Sequence, residues 1–199
     1  MAKLYFYYAS MNAGKSTTLL QAAFNYRERG MRVLLFTAAV DDRYGTGVIA
    51  SRIGISAPAA PFDAATDLRA IIAAEHDAAP VACALIDEAQ FLSQAQVLQL
   101  AAVCDELDIP VLAYGLRTDF QARLFEGSMW LLALADMLAE IKAVCACGRK
   151  ATMNLRIDET GRPARSGAQT EIGGNERYVA VCRRHFMSPQ MLAAPGADA

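Results

Sequence analysis

A segment near the start of the chain has the residue types and spacing of a phosphate-binding loop. It follows the apolar run Leu4 to Tyr8 and precedes a helix-forming segment that begins at Thr17. In such a loop the backbone N–H groups and the helix N-terminus bind phosphate oxygens, a lysine reaches the β and γ phosphates, and the next hydroxyl binds Mg²⁺. Lys15 and Ser16 take those two positions. The predicted nucleotide-binding residues of the loop are Ala9, Ser10, Met11, Asn12, Ala13, Gly14, Lys15 and Ser16.

The loop departs from the usual pattern at one position, because Ala9 stands where the first glycine is expected. The backbone there is therefore predicted to adopt a φ that alanine tolerates. The order of strand, loop and helix is the one that phosphate binding requires, and it favours a functional loop over a chance match.

Two carboxylates end a second apolar run. Asp87 and Glu88 follow residues 82–86, and ligands of α/β sheets bind at the carboxyl ends of strands. Asp87 is predicted to hold Mg²⁺, usually through water. Glu88 could orient a water for hydrolysis or accept a proton from an attacking hydroxyl, and the residues alone do not choose between these roles. A solvated acidic loop is the plainer alternative, but it leaves the matching phosphate loop unexplained.

Two Cys/His pairs predict a structural zinc site. Cys145 and Cys147 form one pair, and Cys182 and His185 form the other. Four such ligands suit tetrahedral Zn²⁺ and leave no open position for catalysis. The C-x-C spacing is tighter than the usual C-x₂-C, so buried thiols beside a surface histidine are the alternative. Cys83 and Cys104 lie in apolar patterns and are interpreted as buried thiols.

Short apolar runs alternate with helical patterns over the first 140 residues or so, which predicts an α/β fold with a parallel sheet. We predict strands at 4–8, 33–37, 81–86 and 109–114, and a fifth near 138–144. We predict helices at 16–29, around 66–75 and at 93–107, the last with a capping box from Ser93 to Gln96. Residues 38–61 lack clear periodicity and are interpreted as a long surface loop.

Composition excludes several classes of protein. The chain has 199 residues, 54% of them hydrophobic, and a formal net charge of −2, so a packed core is expected and nucleic acid is not an expected partner. No apolar run reaches membrane-spanning length and no signal peptide is recognised, which predicts a cytoplasmic protein without membrane contacts. Five cysteines without an export signal argue against a disulfide framework.

The character of the sequence changes at Cys145, where cysteines cluster and helical patterns stop. We predict a nucleotide-binding core at residues 1–144, a small zinc-binding β domain at 145–187 and a disordered tail at 188–199.

Four features together resemble the thymidine kinase family, of the type with a RecA-like core and a zinc-bearing lasso domain. They are the loop 11–16, the strand end 87–91, the Cys/His pairs and the segment 172–178. The resemblance runs from Lys3 to about Phe186 with the elements in family order. It implies a P-loop kinase core with helices on both faces of a parallel sheet and a C-terminal zinc domain.

The resemblance also implies an activity and its residues. The activity is transfer of the γ-phosphoryl group of ATP to the 5′-hydroxyl of thymidine, for nucleoside salvage, with Glu88 as the base. Asp87 and Gln90 join the ATP-binding set, and Ser16 and Asp87 hold Mg²⁺. Arg52 either reaches the phosphates or is an ordinary surface charge. The implied thymidine-binding residues are Met11, Leu116, Phe120, Phe125, Gln169, Thr170, Glu171, Ile172, Gly173 and Tyr178.

Within this set, Phe120 is implied to pack on the thymine ring, and residues 169–173 to fold over the nucleoside as a lasso that Tyr178 closes.

The resemblance further implies a homotetramer and feedback inhibition by thymidine triphosphate. Deoxyuridine is the closest competing substrate. Two rival functions stay open, a nucleotide-switched P-loop ATPase and a kinase of another nucleoside, because pocket shape decides substrate choice.

Overall fold

The computed structural model describes residues 1–41, 45–158, 162–164, 166–169 and 177–189. The strands are, in chain order, β1 (Leu4–Ala9), β2 (Val33–Ala38), β3 (Val48–Ala50), β4 (Ser56–Pro58), β5 (Ala60–Phe62), β6 (Cys83–Ile86), β7 (Val111–Leu116), β8 (Met137–Glu140), β9 (Ala143–Val144), β10 (Lys150–Ala151), β11 (Met153–Ile157), β12 (Pro163–Ala164) and β13 (Tyr178–Val181). The helices are α1 (Lys15–Glu28), α2 (Leu68–Ala78), α3 (Gln94–Leu107), α4 (Glu126–Leu134) and α5 (Arg183–Met187), with a 3₁₀ turn at Ala89–Phe91.

The larger sheet confirms the predicted α/β class. Its strand order is β5-β2-β6-β7-β1-β8, and each pair of neighbours is parallel. All its strands therefore point the same way, and the loops that follow β1, β6 and β7 leave the sheet at one edge. The phosphate loop follows β1 and the acidic pair follows β6, so the topology alone brings the two motifs together.

Helices cover both faces of this sheet, as predicted. On β6, Ala84 and Ile86 belong to the apolar cluster that includes buried residues of α2, α3 and α4. Cys83 and Leu85 belong to a second cluster with Leu19 and other residues of α1. Alternate residues of one strand thus enter two cores, because successive side chains of a strand point to opposite faces.

Two parts of the core differ from the sequence prediction. Residues 38–61 are not simply a loop: β3 and β4 form an antiparallel hairpin, and β5 pairs with β2 at the sheet edge. Ile49 of β3 is 1% exposed and packs in the same cluster as α1. Helix α4 was also not predicted. Strands of three residues and a helix of nine residues are too short to show a clear hydrophobic periodicity in the sequence.

Beyond residue 142 the strands are short and antiparallel. β9 pairs with β10, and β11 lies between β12 and β13. Residues of β10, β11, β13 and α5 share a separate small apolar cluster with Cys145 and Cys182. This arrangement supports a second domain, and its limits at 145 and 187 stay a prediction. Of the predicted tail, residues 190–199 lie outside the described residues.

The small domain is tied to the core through Asn154, a β11 residue that is 2% exposed. Its Oδ1 accepts a hydrogen bond from the Met11 N–H at 2.8 Å, and its Nδ2 donates to the Thr118 carbonyl at 3.0 Å. Ser10 Oγ also donates to the Ala151 carbonyl at 3.4 Å. The phosphate loop is therefore held from both domains.

None of the helices in the described part of the chain is long and apolar enough to cross a membrane.

Helix α4 begins in close contact with the turn that follows the acidic pair. A Cβ on Gly127 would lie 2.4 Å from the Ala89 carbonyl oxygen and 2.8 Å from that of Leu92. Neighbouring Ser128 donates a hydrogen bond from Oγ to the Leu116 carbonyl at 2.5 Å. Glycine at 127 thus permits the approach that fixes the turn beside Glu88.

We expect Gly127→Ala to destabilise the protein by about 1–3 kcal/mol, because the added methyl group forces backbone apart in a packed region. Thermal and urea unfolding would measure the change. Met129→Ala, on the exposed side of the same helix, is the control and should shift stability by no more than about 0.5 kcal/mol. If Gly127→Ala were as stable as the wild type, the close packing at residue 127 would be contradicted.

Candidate active site

A cleft of about 350 Å³ lies at the carboxyl edge of the larger sheet. It combines the phosphate loop, the acidic residue after β6, the end of β7 and the tip of the β3–β4 hairpin. Its lining residues are Met11, Asn12, Gly14, Lys15, Ser16, Thr17, Ala50, Ser51, Arg52, Ile53, Glu88 and Leu116.

The phosphate loop has the backbone that its sequence requires. Gly14 has φ 83°, a conformation that glycine adopts without steric cost, and Asn12 has φ 62°, which asparagine tolerates better than most residues. Ala9 ends β1 and is not among the positive-φ residues, as predicted for an alanine in place of the first glycine. Lys15 begins α1, and its Nζ donates to the Ser10 carbonyl at 3.3 Å.

Asp87 lies beside the first turn of α1. Its Oδ2 accepts a hydrogen bond from Ser16 Oγ at 2.9 Å, so the two predicted Mg²⁺-binding groups adjoin one another. Burial raises the pKa of Asp87 to about 7, and the nearby Glu88 carboxylate adds to the rise, whereas the Ser16 hydroxyl opposes it. A carboxylate that is buried in this way stays charged when a cation lies nearby. Its environment therefore suits a residue that binds a metal ion.

Glu88 is held in an uncommon backbone conformation. Its φ is 51° and its ψ is 37°, in the left-handed region that non-glycine residues seldom occupy. The Glu88 N–H donates to Asp87 Oδ1 at 3.0 Å, and the Gln90 amide donates to the Glu88 carboxylate. Such conformations persist where surrounding contacts fix them, and they cluster at functional sites.

Gln90 is 2% exposed, and its side chain holds Glu88 on one side and β7 on the other. Its Oε1 accepts a hydrogen bond from the Leu116 N–H at 2.9 Å. A Cβ on Gly115 would lie 3.0 Å from the same Oε1, so glycine makes room for the amide. The structure thus places Gln90 against the candidate base, and its predicted contact with ATP stays a prediction.

Arg52 lies on the wall of the cleft, at the tip of the β3–β4 hairpin. The turn is closed by the Ser51 N–H, which donates to the Ile55 carbonyl at 2.8 Å. Burial of Ile49 against α1 anchors the hairpin over the phosphate loop. This position favours the phosphate-binding interpretation of Arg52 over a plain surface charge.

The predicted nucleoside pocket divides into two groups. Met11 and Leu116 line the cleft, whereas Phe120 and Phe125 are 2% and 6% exposed and are not among its lining residues. The ring of Phe125 meets that of Phe91 edge-on, with centroids 5.9 Å apart. Phe91 lies within the strand-end motif 87–91, which assigns it no role, and only the tertiary contact adds it to this apolar group.

Of the predicted lasso, Gln169 and Tyr178 are described, and residues 170–173 lie outside the described residues. Gln169 Nε2 donates to Asp119 Oδ2 at 3.1 Å and thereby approaches the segment that carries Phe120. Tyr178 is buried at the start of β13, opposite Arg156 of β11. The first residue of the lasso therefore lies beside the segment that carries the predicted thymine-packing residue.

The four predicted metal ligands come together. The ligand atoms of Cys145, Cys147, Cys182 and His185 all lie within 4.8 Å of one another. The Cys147 and Cys182 sulfurs are 3.8 Å apart, and Cys145 Sγ is 3.2 Å from His185 Nδ1. A tetrahedral zinc ion with bonds of about 2.3 Å to sulfur separates two thiolates by about 3.8 Å, so the donor set fits a metal of this kind.

The other two cysteines are buried thiols, as predicted. Cys83 and Cys104 are 0% and 2% exposed and belong to opposite core clusters. Burial raises the pKa of the Cys83 thiol to about 12 and that of Cys104 to about 11. Both therefore stay protonated and are poor metal ligands.

We expect protein purified without chelator to carry about one metal ion per chain, and Cys147→Ala to lose most of it, because three ligands bind such an ion far more weakly than four. Elemental analysis would measure the metal. Cys104→Ala, which removes a thiol outside the cluster, should keep its metal content. A Cys147 variant with full metal content would rule out this site.

Comparison with known proteins agrees with the geometry. A family model described as "Thymidine kinase" matches residues 2–186. A thymidine kinase of Zymomonas mobilis is 70% identical over 187 residues, which cover 94% of this chain and 97% of the relative. Thymidine kinases of Novosphingobium aromaticivorans and Vibrio cholerae are 68% and 61% identical over 186 residues, with the same 94% and 97% coverage. A phosphate loop, an acidic pair and a four-ligand cluster thus occur in a chain that belongs to the thymidine kinase family.

Proposed function

We propose that this protein transfers the γ-phosphoryl group of ATP to the 5′-hydroxyl of thymidine, forming thymidine monophosphate and ADP in nucleoside salvage. Membership of the thymidine kinase family supports nucleoside kinase activity. The observation that carries the proposal is the position of Glu88, on the wall of the same cleft as Lys15 and held there by the hydrogen bond from Gln90.

The residues divide the chemistry between them. The backbone of 9–16 and the ammonium group of Lys15 bind the ATP phosphates, and Arg52 adds positive charge from the hairpin as the γ-phosphoryl group moves. Glu88 accepts the proton of the attacking 5′-hydroxyl. Gln90 keeps the Glu88 carboxylate oriented, because a base must lie within hydrogen-bonding distance of the proton that it removes.

Two metal ions complete the proposal. Ser16 and Asp87 present adjoining hard oxygen donors and would hold Mg²⁺ with ATP, where the ion neutralises phosphate charge. The three thiolates and one imidazole of the second cluster would hold zinc, since soft and borderline ligands in a closed tetrahedron select that ion. The four residues would hold zinc as a structural ion that stabilises the small domain, with no position open for catalysis.

The nucleoside would bind between the end of β7 and the small domain. Met11 and Leu116 offer an apolar wall at the cleft, and Phe120 and Phe125 extend it inward. Phe120 would pack on the thymine ring, while the backbone of 169–173 and Tyr178 would cover the nucleoside. Apolar walls with backbone hydrogen bonds can recognise a pyrimidine edge and accept its methyl group, and deoxyuridine would also be a substrate.

We also propose a homotetramer, feedback inhibition by thymidine triphosphate and a cytoplasmic location. The first two are supported by the family resemblance alone. Sedimentation at micromolar concentration and rates at saturating triphosphate would test them, and a monomer or an unaltered rate would count against each in turn.

The first test is to incubate the protein with Mg²⁺-ATP and each common nucleoside separately. We expect thymidine monophosphate and ADP in equal amounts, with less product from deoxyuridine and little from purine nucleosides. Chromatography of both products would measure this. ADP without a phosphorylated nucleoside would favour the ATPase alternative, and another preferred nucleoside would favour the second rival.

We expect Glu88→Gln to lower kcat by about 10²–10⁴-fold, because the amide keeps the shape of the side chain but cannot accept the proton. The KM for ATP should change little, since the phosphate loop is intact. Steady-state kinetics with thymidine and ATP varied in turn would measure both.

The matched control is Glu126→Gln, which removes an exposed carboxylate whose Oε1 accepts a hydrogen bond from the Gln94 N–H, away from the cleft. Its kcat should stay near that of the wild type. Full turnover in the Glu88 variant would remove this residue from the role of base.

A further inference from the structure

We propose that Arg156 positions the nucleoside site by holding residues 166–169, which lead into the lasso, against Phe120. It is a positioning residue, since it acts through the groups that it binds. The inference rests on the proposed function, because it concerns how that site recognises thymidine. Nothing in the sequence pattern distinguished Arg156 from the other residues of its strand.

The guanidinium group of Arg156 makes three contacts at once. Nη1 donates to the Ala168 carbonyl at 3.1 Å, and Nη2 donates to the Ser166 carbonyl at 3.2 Å. Its central carbon lies 3.7 Å from the centroid of the Phe120 ring. The residue is 3% exposed, which is rare for arginine unless its charge and N–H groups are well engaged.

Arg156 also lies where the other end of the lasso returns to the domain. In the register of β11 and β13, it faces Tyr178 directly. Arg156 therefore binds two carbonyls just before the lasso and faces the residue that is predicted to close it. One buried residue thus lies next to both flanking segments.

A second contact joins the same segment to the turn that contains Phe120. Gln169 donates a hydrogen bond to Oδ2 of Asp119. The Oδ1 atom of Asp119 accepts hydrogen bonds from the N–H groups of Gln121 and Arg123, each at 2.8 Å. Phe120 lies inside this hydrogen-bonded turn. Its ring and residues 166–169 are consequently held together, and the guanidinium group contacts both.

Arginine is required for this geometry. A planar guanidinium offers several donors in a fixed fork and a flat face for an aromatic ring, whereas lysine offers a compact charge that cannot do both. Without these contacts Phe120 and Gln169 would be less fixed relative to each other, and ordering them when the nucleoside binds would weaken affinity.

The role predicts a specific kinetic pattern. Arg156 contacts Phe120 and the backbone just before the lasso, both next to the proposed nucleoside site, so its loss should affect thymidine binding more than chemistry. We expect Arg156→Met to raise the KM and Kd for thymidine about 10- to 100-fold, the effect of losing charged hydrogen bonds at a binding site. The KM for ATP should change less than about 3-fold, within the range of distant substitutions.

The experiment compares Arg156→Met, Arg156→Lys and a matched control in the full-length protein. Arg149→Met removes an exposed arginine of the same domain and should leave both KM values unchanged. Calorimetric titration with thymidine and kinetics with each substrate give the constants, while metal content and thermal unfolding report on folding. Arg156→Lys should fold like the wild type and show an intermediate thymidine KM.

Equal rises in the KM of both substrates, a fall in kcat alone, or unfolding of both variants would overturn the proposal, because each would make Arg156 a general structural residue. An unchanged thymidine Kd in folded variants would also overturn it. These outcomes differ from failure of the proposed function, in which the wild type itself does not phosphorylate thymidine.

Discussion

The hydrogen bonds of Asn154 join the phosphate loop and the segment after β7 to a strand of the small domain. Its amide accepts from the phosphate loop and donates to the segment after β7, and it belongs to a strand of the small domain. Loops at a sheet edge have backbone groups that the ladder does not pair, and those groups need partners when they are buried. One side chain supplies two such partners and joins the domains where they meet.

Gln90 and Arg156 likewise are buried side chains that hydrogen-bond to the backbone of segments around the site. Gln90 links the candidate base to the backbone of β7, and Arg156 links the backbone just before the lasso to an aromatic ring. Each is nearly buried, and each has a rigid planar head group with polar atoms at fixed angles. The reacting groups therefore lie on loops, yet planar side chains fixed by packing define their geometry. Such support is what precise placement of functional groups requires.

The sequence was most predictive where chemistry depends on consecutive residues. Lys15, Ser16 and Asp87 follow strands, and a parallel sheet must bring the ends of its strands to one edge. The metal ligands were recognisable because thiol and imidazole pairs have few other uses together. In contrast, Asn154 reaches the phosphate loop across 143 residues, and a lone asparagine in a strand carries no local sign of this contact. The β3–β4 hairpin and α4 were missed because they are short and owe their form to tertiary packing.

The left-handed backbone conformation of Glu88 affects which amino acids favour stability and which favour catalysis at position 88. A non-glycine residue in this conformation raises the free energy of the folded state by about 1–2 kcal/mol, and the contacts made on folding offset this strain. The carboxylate is therefore already in place before each turnover and does not need to reorganise. Glycine would relieve the backbone but would lack the base, so selection for stability alone acts against the residue that performs the chemistry. Position 88 is thus a point where fitness for catalysis and fitness for folding favour different amino acids.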